Sequence, residues 1–193
     1  AGHPVTQANH IAAMVEQRPG ELLFGIVANS TDNFFWLQFF ELTGISADDV
    51  QFVRYPDTGA QVVALLGGEL DFAMLNLPSA NQLFSAGALL PLGVASEARL
   101  LALPEVPTLI EQGVELVNTT DRGIFAPLDT PPERLERLAD AFEQALAQPA
   151  MTHTLQYTHG TVVDFRPREA YERYLGEQYQ QLQALAEAVS FER

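Results

Sequence analysis

The sequence has 193 residues, 47% hydrophobic and 18% charged, enough to bury a sizeable core in one domain or two small ones. The formal net charge is −15, and all 10 basic residues are arginine; such a field repels nucleic acid and anionic lipid, so neither is an expected partner. No apolar run reaches the roughly 20 residues that cross a bilayer, and the absence of cysteine excludes a disulfide framework and a thiolate metal site.

In chain order, helix and strand alternate with little interruption. The opening AGHPVTQANH has neither the basic start nor the apolar segment of a signal peptide. Pro4 to Gln17 is predicted to be a helix, with Thr6 as its cap and Ile11, Met14 and Val15 on one face. Leu22 to Ala28 reads as a strand, and Asn29 to Asn33 as a run of capping residues before the aromatic helix Phe34 to Leu42. Apolar residues lie nearly all round that helix, which predicts burial on more than one side. Thr43-Gly44 ends it, and Val50 to Tyr55 is the next strand.

The stretch Tyr55 to Ala80 organises the rest. Pro56, Asp57 and Gly59 turn the chain, Thr58 is placed to cap the apolar run Val62, Val63, Leu65, Leu66, and Gly67-Gly68 stops that helix. Leu70 to Leu75 is a short apolar strand, and Asn76 to Ser79 a polar loop at its carboxyl end, where open α/β sheets hold ligands. Asn81 to Ala86 is predicted as a short helix, Leu89 to Ala95 as a strand, Glu105 to Gly113 as a helix, and Val114 to Val117 and Gly123 to Phe125 as short strands.

The final third is mostly helical. Thr130-Pro131-Pro132-Glu133 reads as a capping box opening a helix that Pro149 ends, with Leu135, Leu138, Ala139, Phe142 and Leu146 on one face. A short helix covers Met151 to His159, Thr161 to Phe165 could add a strand, and a long helix from Pro167 to Val189 buries Tyr171, Tyr174, Leu175, Leu182 and Leu185.

Chemistry of the catalytic kind finds no pattern. His153 and His159 are not at metal-ligand spacing, the carboxylates form no acid/base pair, and Ser30, Ser79 and Ser85 lack a nucleophile's setting. The expectation is a protein that is not an enzyme and uses no metal or cofactor. What remains are two helix starts, Asn29 to Asn33 and Asp57 to Gly59, whose backbone N–H groups have no partner inside the helix and carry about half a positive charge from the macrodipole. They could hold a carboxylate; equally, Ser30, Thr31, Asp32 and Thr58 could serve only to cap their own helices.

The motifs Tyr55 with its following turn, Leu65-Leu66-Gly67-Gly68-Glu69-Leu70-Asp71, Asn76-Leu77-Pro78-Ser79-Ala80, Ala86-Gly87, Val106-Pro107-Thr108, Glu111-Gln112-Gly113, Arg122-Gly123-Ile124, Ala126-Pro127 and Thr130-Pro131 occur in an order and spacing that resembles the tripartite tricarboxylate transporter substrate-binding proteins, the TctC or Bug family. The resemblance runs from Pro4 into the last helix. It implies an α/β, periplasmic-binding-protein-like (type II) lobe: a mixed, mostly parallel sheet with helices on both faces, followed by C-terminal helices of a second, incomplete lobe. Residues 1–125 would be the second lobe of a two-lobed protein, and residues 126–193 the helical part of a first lobe that is otherwise missing.

The resemblance also implies a periplasmic protein that closes on a small organic carboxylate or amino acid and presents it to the permease subunits of a transporter. The family's ligand loops fall here at Asn29, Ser30, Thr31, Asp32 and Asn33, at Asp57, Thr58 and Gly59, and at Asn76 and Ser79. Asp32 and Asp57 depart from the family's pattern. Like charges about 4 Å apart at an effective dielectric near 20 repel by about 4 kcal/mol, more than one hydrogen bond offsets, so one of them is expected to meet a polar or cationic end of the ligand. Two copies could pair through surface left by the missing lobe. The competing reading is a stand-alone interaction or regulatory domain with a protein partner.

Overall fold

Three apolar runs form the sheet of this protein. In the computed structural model, which describes residues 5–27 and 30–188 without the side chains of residues 185–188, they are β1 (Leu23–Val27), β2 (Gln51–Tyr55) and β3 (Phe72–Ala73). The order is β2-β1-β3 and both pairings are parallel, with Val27 opposite Tyr55 and Gly25 opposite Ala73. The helices are α1 (Ile11–Gln17), α2 (Asp32–Thr43), α3 (Thr58–Gly67), α4 (Leu77–Ser85), α5 (Pro132–Leu146), α6 (Pro149–His153) and α7 (Arg168–Ala188).

The first crossover steps from β1 to β2; the second steps back past β1 to β3. Right-handed connections in opposite directions put their helices on opposite faces, and the alternation along β1 agrees. Phe24 packs on Trp36 and Phe40 of α2, with ring centroids 4.9 and 5.1 Å away. A Cβ placed on the next residue, Gly25, would instead meet Gln61 of α3 and Leu70. The α/β class with a parallel sheet and helices is therefore present, and every pairing in the described sheet is parallel.

The chain divides into two units, residues 1–120 and 121–193. In the first, Phe24 and Phe39 are fully enclosed, and Val5, Ile11, Val15, Leu109, Val114 and Leu116 join the same core. In α2 the buried apolar residues are Phe35, Trp36, Phe39 and Phe40, while Leu42 is exposed, so the predicted all-round burial reduces to one stripe at helical spacing. Gly44 and Gly68 end α2 and α3 in the left-handed conformation, each at φ 74°.

Several predicted elements differ. α1 opens with a 3₁₀ turn at Ala8–His10, and no side chain caps it, so Thr6 is not the cap. β3 shrinks to two residues, and Asn76 to Ser79 is not a free loop: Asn76 is the N-cap of α4, which starts at Leu77, four residues before the predicted start. Leu89–Ala95 and Glu105–Gly113 form neither the predicted strand nor the predicted helix. One parallel bridge joins Val94 to Thr108, and only Ile110–Gln112 is helical, as a 3₁₀ turn. Gln112 explains this, because its side chain replaces regular pairing: Oε1 accepts from the Ala8 N–H at 2.7 Å and Nε2 donates to Leu92 O at 3.0 Å. Val114–Val117, Gly123–Phe125 and Thr161–Phe165 are not strands.

In the second unit, α5 follows Pro131, whose extended backbone makes it the N-cap, so the Thr130 capping box does not form. Pro149 opens α6 as well as following α5, and Thr154–Thr158 widens into a π turn. Tyr174 anchors the loop before α7: the Arg166 guanidinium lies 3.7 Å above its ring, and its hydroxyl donates to Asp121 at 2.5 Å. Leu182, predicted to be buried, is exposed, as are Leu138 and Phe142 of α5. Pro4, Ala28, Val189 and the Leu185 side chain, which figure in the predicted elements, lie outside the described residues.

Candidate functional site

All three strands point the same way, and each is followed directly by a helix: β1 by α2, β2 by α3, β3 by α4. The three helix N-termini consequently lie along one edge of the sheet, at the carboxyl ends of its strands, the usual place for ligands in open α/β sheets. Ser30 to Asn33, Asp57 to Gly59 and Asn76 to Ser79 all fall on that edge. Asn29 lies outside the described residues.

The mouth of α2 is partly closed by its own side chains. The Ser30 hydroxyl donates to Val27 O at 2.9 Å and accepts from the Asp32 N–H at 3.2 Å. Thr31, at the N-cap position, makes no side-chain cap bond. The Asp32 carboxylate is 6% exposed and turned inward, its Oδ2 accepting from the Val27 N–H at 3.0 Å. The N–H of Asn33 has no acceptor among the described residues.

At α3 the cap is Asp57, one residue before the predicted Thr58. Asp57 is extended, and its Oδ1 accepts from the Ala60 N–H at 2.9 Å, while Thr58 is already the first helical residue. The N–H groups of Thr58 and Gly59 are left without acceptors among the described residues, as the first turn of a helix requires. The mouth of α4 carries no carboxylate. Asn76 makes no cap bond; its Oδ1 accepts from the Thr120 hydroxyl at 3.1 Å, and Pro78 removes one N–H from the first turn. No arginine lies within these three turns, so an anion here would meet backbone amides and neutral polar side chains and no cation of the turns themselves.

Two residues of this edge were not legible as such in the sequence. Thr120 ties the polar stretch after Leu116 to Asn76. Gln61 is wholly buried in the second turn of α3, its Nε2 lying 3.5 Å from Asp32 Oδ2 and its Oε1 without a partner among the described residues. An amide within an otherwise apolar helix is the only sequence signal it offers.

A separate cavity of about 600 Å³ is lined by Gln7, Asn9, Arg99, Glu105, Pro107, Glu111 and Gln112, and none of the predicted site residues borders it. There the Arg99 guanidinium, 2.9 Å from Glu111, and the Thr108 N–H hold the Glu111 carboxyl below its usual range. Among the described residues no cluster of three metal-ligating side chains occurs, and no helix is long and apolar enough to cross a membrane.

A parallel sheet that gathers helix N-termini at its carboxyl edge is the usual ligand-holding arrangement of open α/β proteins. Residues 1–191 match the family described as "Tripartite tricarboxylate transporter family receptor", and the chain belongs to that family. Among its relatives, the UPF0065 protein in the gbd 5' region of Cupriavidus necator is 28% identical over 155 residues, which is 80% of this chain and 46% of that protein. Protein BugT of Bordetella pertussis is 27% identical over 169 residues, 86% of this chain and 51% of its own length. An R. palustris protein solved with adipate superposes with a TM-score of 0.85 at 25% identity, over 95% of this chain and 61% of that one. The chain thus spans about half the length of the curated relatives it matches.

Proposed function

We propose that this chain is the periplasmic solute-binding component of a tripartite tricarboxylate-type transporter, taking a small organic carboxylate in a cleft between two lobes and delivering it to membrane permease subunits. The observation that carries this is the row of three helix N-termini on one sheet edge, with the Thr58, Gly59 and Asn33 amides lacking acceptors among the described residues, in a chain of this receptor family. Free N–H groups and the macrodipole favour an anion by about 0.3–1 kcal/mol per helix end at an exposed site, and no lysine is needed. Adipate in the R. palustris relative makes a linear dicarboxylate the first ligand to try. In this reading residues 1–125 supply one lobe, residues 126–193 the helical portion of the other, and Asn76 and Ser79 join the ligand-binding residues of the first. Calorimetry of the full-length protein with adipate, malate and glutamate is the test; adipate binding that Asp57→Ala combined with Thr58→Ala leaves unchanged would reject the assignment.

A second reading is favoured by the exposed Ile124, Phe125 and Leu128: an interaction domain whose ligand is a protein, including a second copy of itself. Light scattering separates the two, since a monomer that binds adipate fits only the first.

A further inference from the structure

Gln61 is the buried side chain with an oxygen that has no donor among the described residues. An enclosed carbonyl of that kind forfeits its hydrogen bonds to water, so its burial needs a compensating reason. Its surroundings supply one. The β1–β3 ladder ends at Gly25–Ala73, two residues short of Val27, and the Val27 N–H goes to Asp32 Oδ2 instead, at 3.0 Å. Gln61 reaches the same Oδ2 from α3, on the opposite face of the sheet, at 3.5 Å. It can do so only because residue 25 is glycine: a Cβ there would stand 2.9 Å from Gln61 Nε2 and 2.5 Å from Leu70 Cδ2. The Gly25 carbonyl in turn accepts from Trp36 Nε1 of α2 at 3.1 Å. Around the carboxyl end of the central strand, Asp32, Gln61, Gly25 and Trp36 therefore join the two helix layers.

Resting on the carboxylate reading above, we infer that Gln61 is a positioning residue: its amide holds the Asp32 carboxylate inward on Val27, and so keeps a negative charge out of the α2 mouth. Released, Asp32 would rotate toward the first turn of its own helix, where the macrodipole favours a negative charge, and would occupy or repel the place of an incoming carboxylate.

The test compares the wild-type chain, Gln61→Met and the double variant Asp32→Asn/Gln61→Met by amide hydrogen exchange and by adipate calorimetry, with Gln61→Leu carried as a second apolar replacement. Gln61→Met should speed exchange of the Val27 amide and weaken adipate by about tenfold, the size of one charged hydrogen bond. The double variant should regain most of the lost affinity, because no charge is left to enter the mouth; a packing defect would not be rescued this way. Unchanged Val27 exchange in both apolar variants overturns the inference, as does affinity lost but not regained. A wild-type chain that ignores adipate overturns the carboxylate reading, and the exchange arm then still decides whether Gln61 restrains Asp32.

Discussion

Residues 1–120 and residues 121–193 are both rich in apolar side chains at regular spacing, yet they use them differently. The first unit closes a core from Val5 to Leu116 around Phe24, whereas no described residue from 121 to 184 is fully buried. Phe24 touches Trp36, Phe40 and Phe72, all with ring centroids within 5.1 Å, while the aromatic contacts of the second unit, such as Arg166 on Tyr174, sit at the surface. A sheet gives the first unit two faces to cover. Helices α5 and α7 have only stripes, and isolated helices draw most of their stability from what they pack on. The comparison teaches that order along the chain and burial in space are separate properties: α7 is the longest helix and has no buried described side chain.

The largest effect should come from breaking the first unit. Phe24→Ala removes the centre of the cluster and should cost about 3–5 kcal/mol, read by urea denaturation. Gly25→Ala is the next test; the added methyl overlaps Leu70 and Gln61 and should cost about 1–3 kcal/mol. Asp57→Ala removes the cap of α3 and should cost about 1 kcal/mol. In the second unit, Leu138→Ala should change stability by no more than about 0.5 kcal/mol, because its side chain is 49% exposed. A cost as large as that of Phe24→Ala would show that the two units are packed alike.

The smallest effect is a pH dependence. Glu111 has its pKa lowered from 4.5, first by the Arg99 hydrogen bond and then by the Thr108 N–H. A depressed folded-state pKa contributes stability that is present above the unfolded value and lost as pH falls through the folded one. Thermal melting followed from pH 6 down to about pH 3 should therefore decline slightly more for the wild type than for Glu111→Gln. Parallel declines would remove the pair from the account.

How far the sequence could be read follows the same division. The turn at Pro56, the Gly68 stop and the alternation of strand and helix through residue 85 were legible because local chemistry decides them. The cap of α3 was placed one residue late, since Asp57 and Thr58 are both good capping residues and only the backbone, extended at Asp57, separates them. The run Val62, Val63, Leu65, Leu66 drew attention to the wrong side of α3. The buried face holds Gln61 and Ala64, while Val63 and Leu66 are exposed, because Gly25 on β1 admits an amide there. Between residues 89 and 117 the predicted strands and helix gave way to bonds from the Gln112 side chain, a long-range arrangement that no local pattern announces. The candidate loops were found by their capping residues, but their sharing of one sheet edge depends on the strand order, and that Asp32 turns inward depends on Gln61.

The central claim is that amides at the carboxyl edge of the sheet receive a carboxylate. Titrating adipate into ¹⁵N-labelled protein while following amide resonances tests it most directly: saturable shifts should centre on Asn33, Thr58 and Gly59. Shifts centred instead on Gln7, Arg99 and Gln112 around the separate cavity, or none at all, would contradict it.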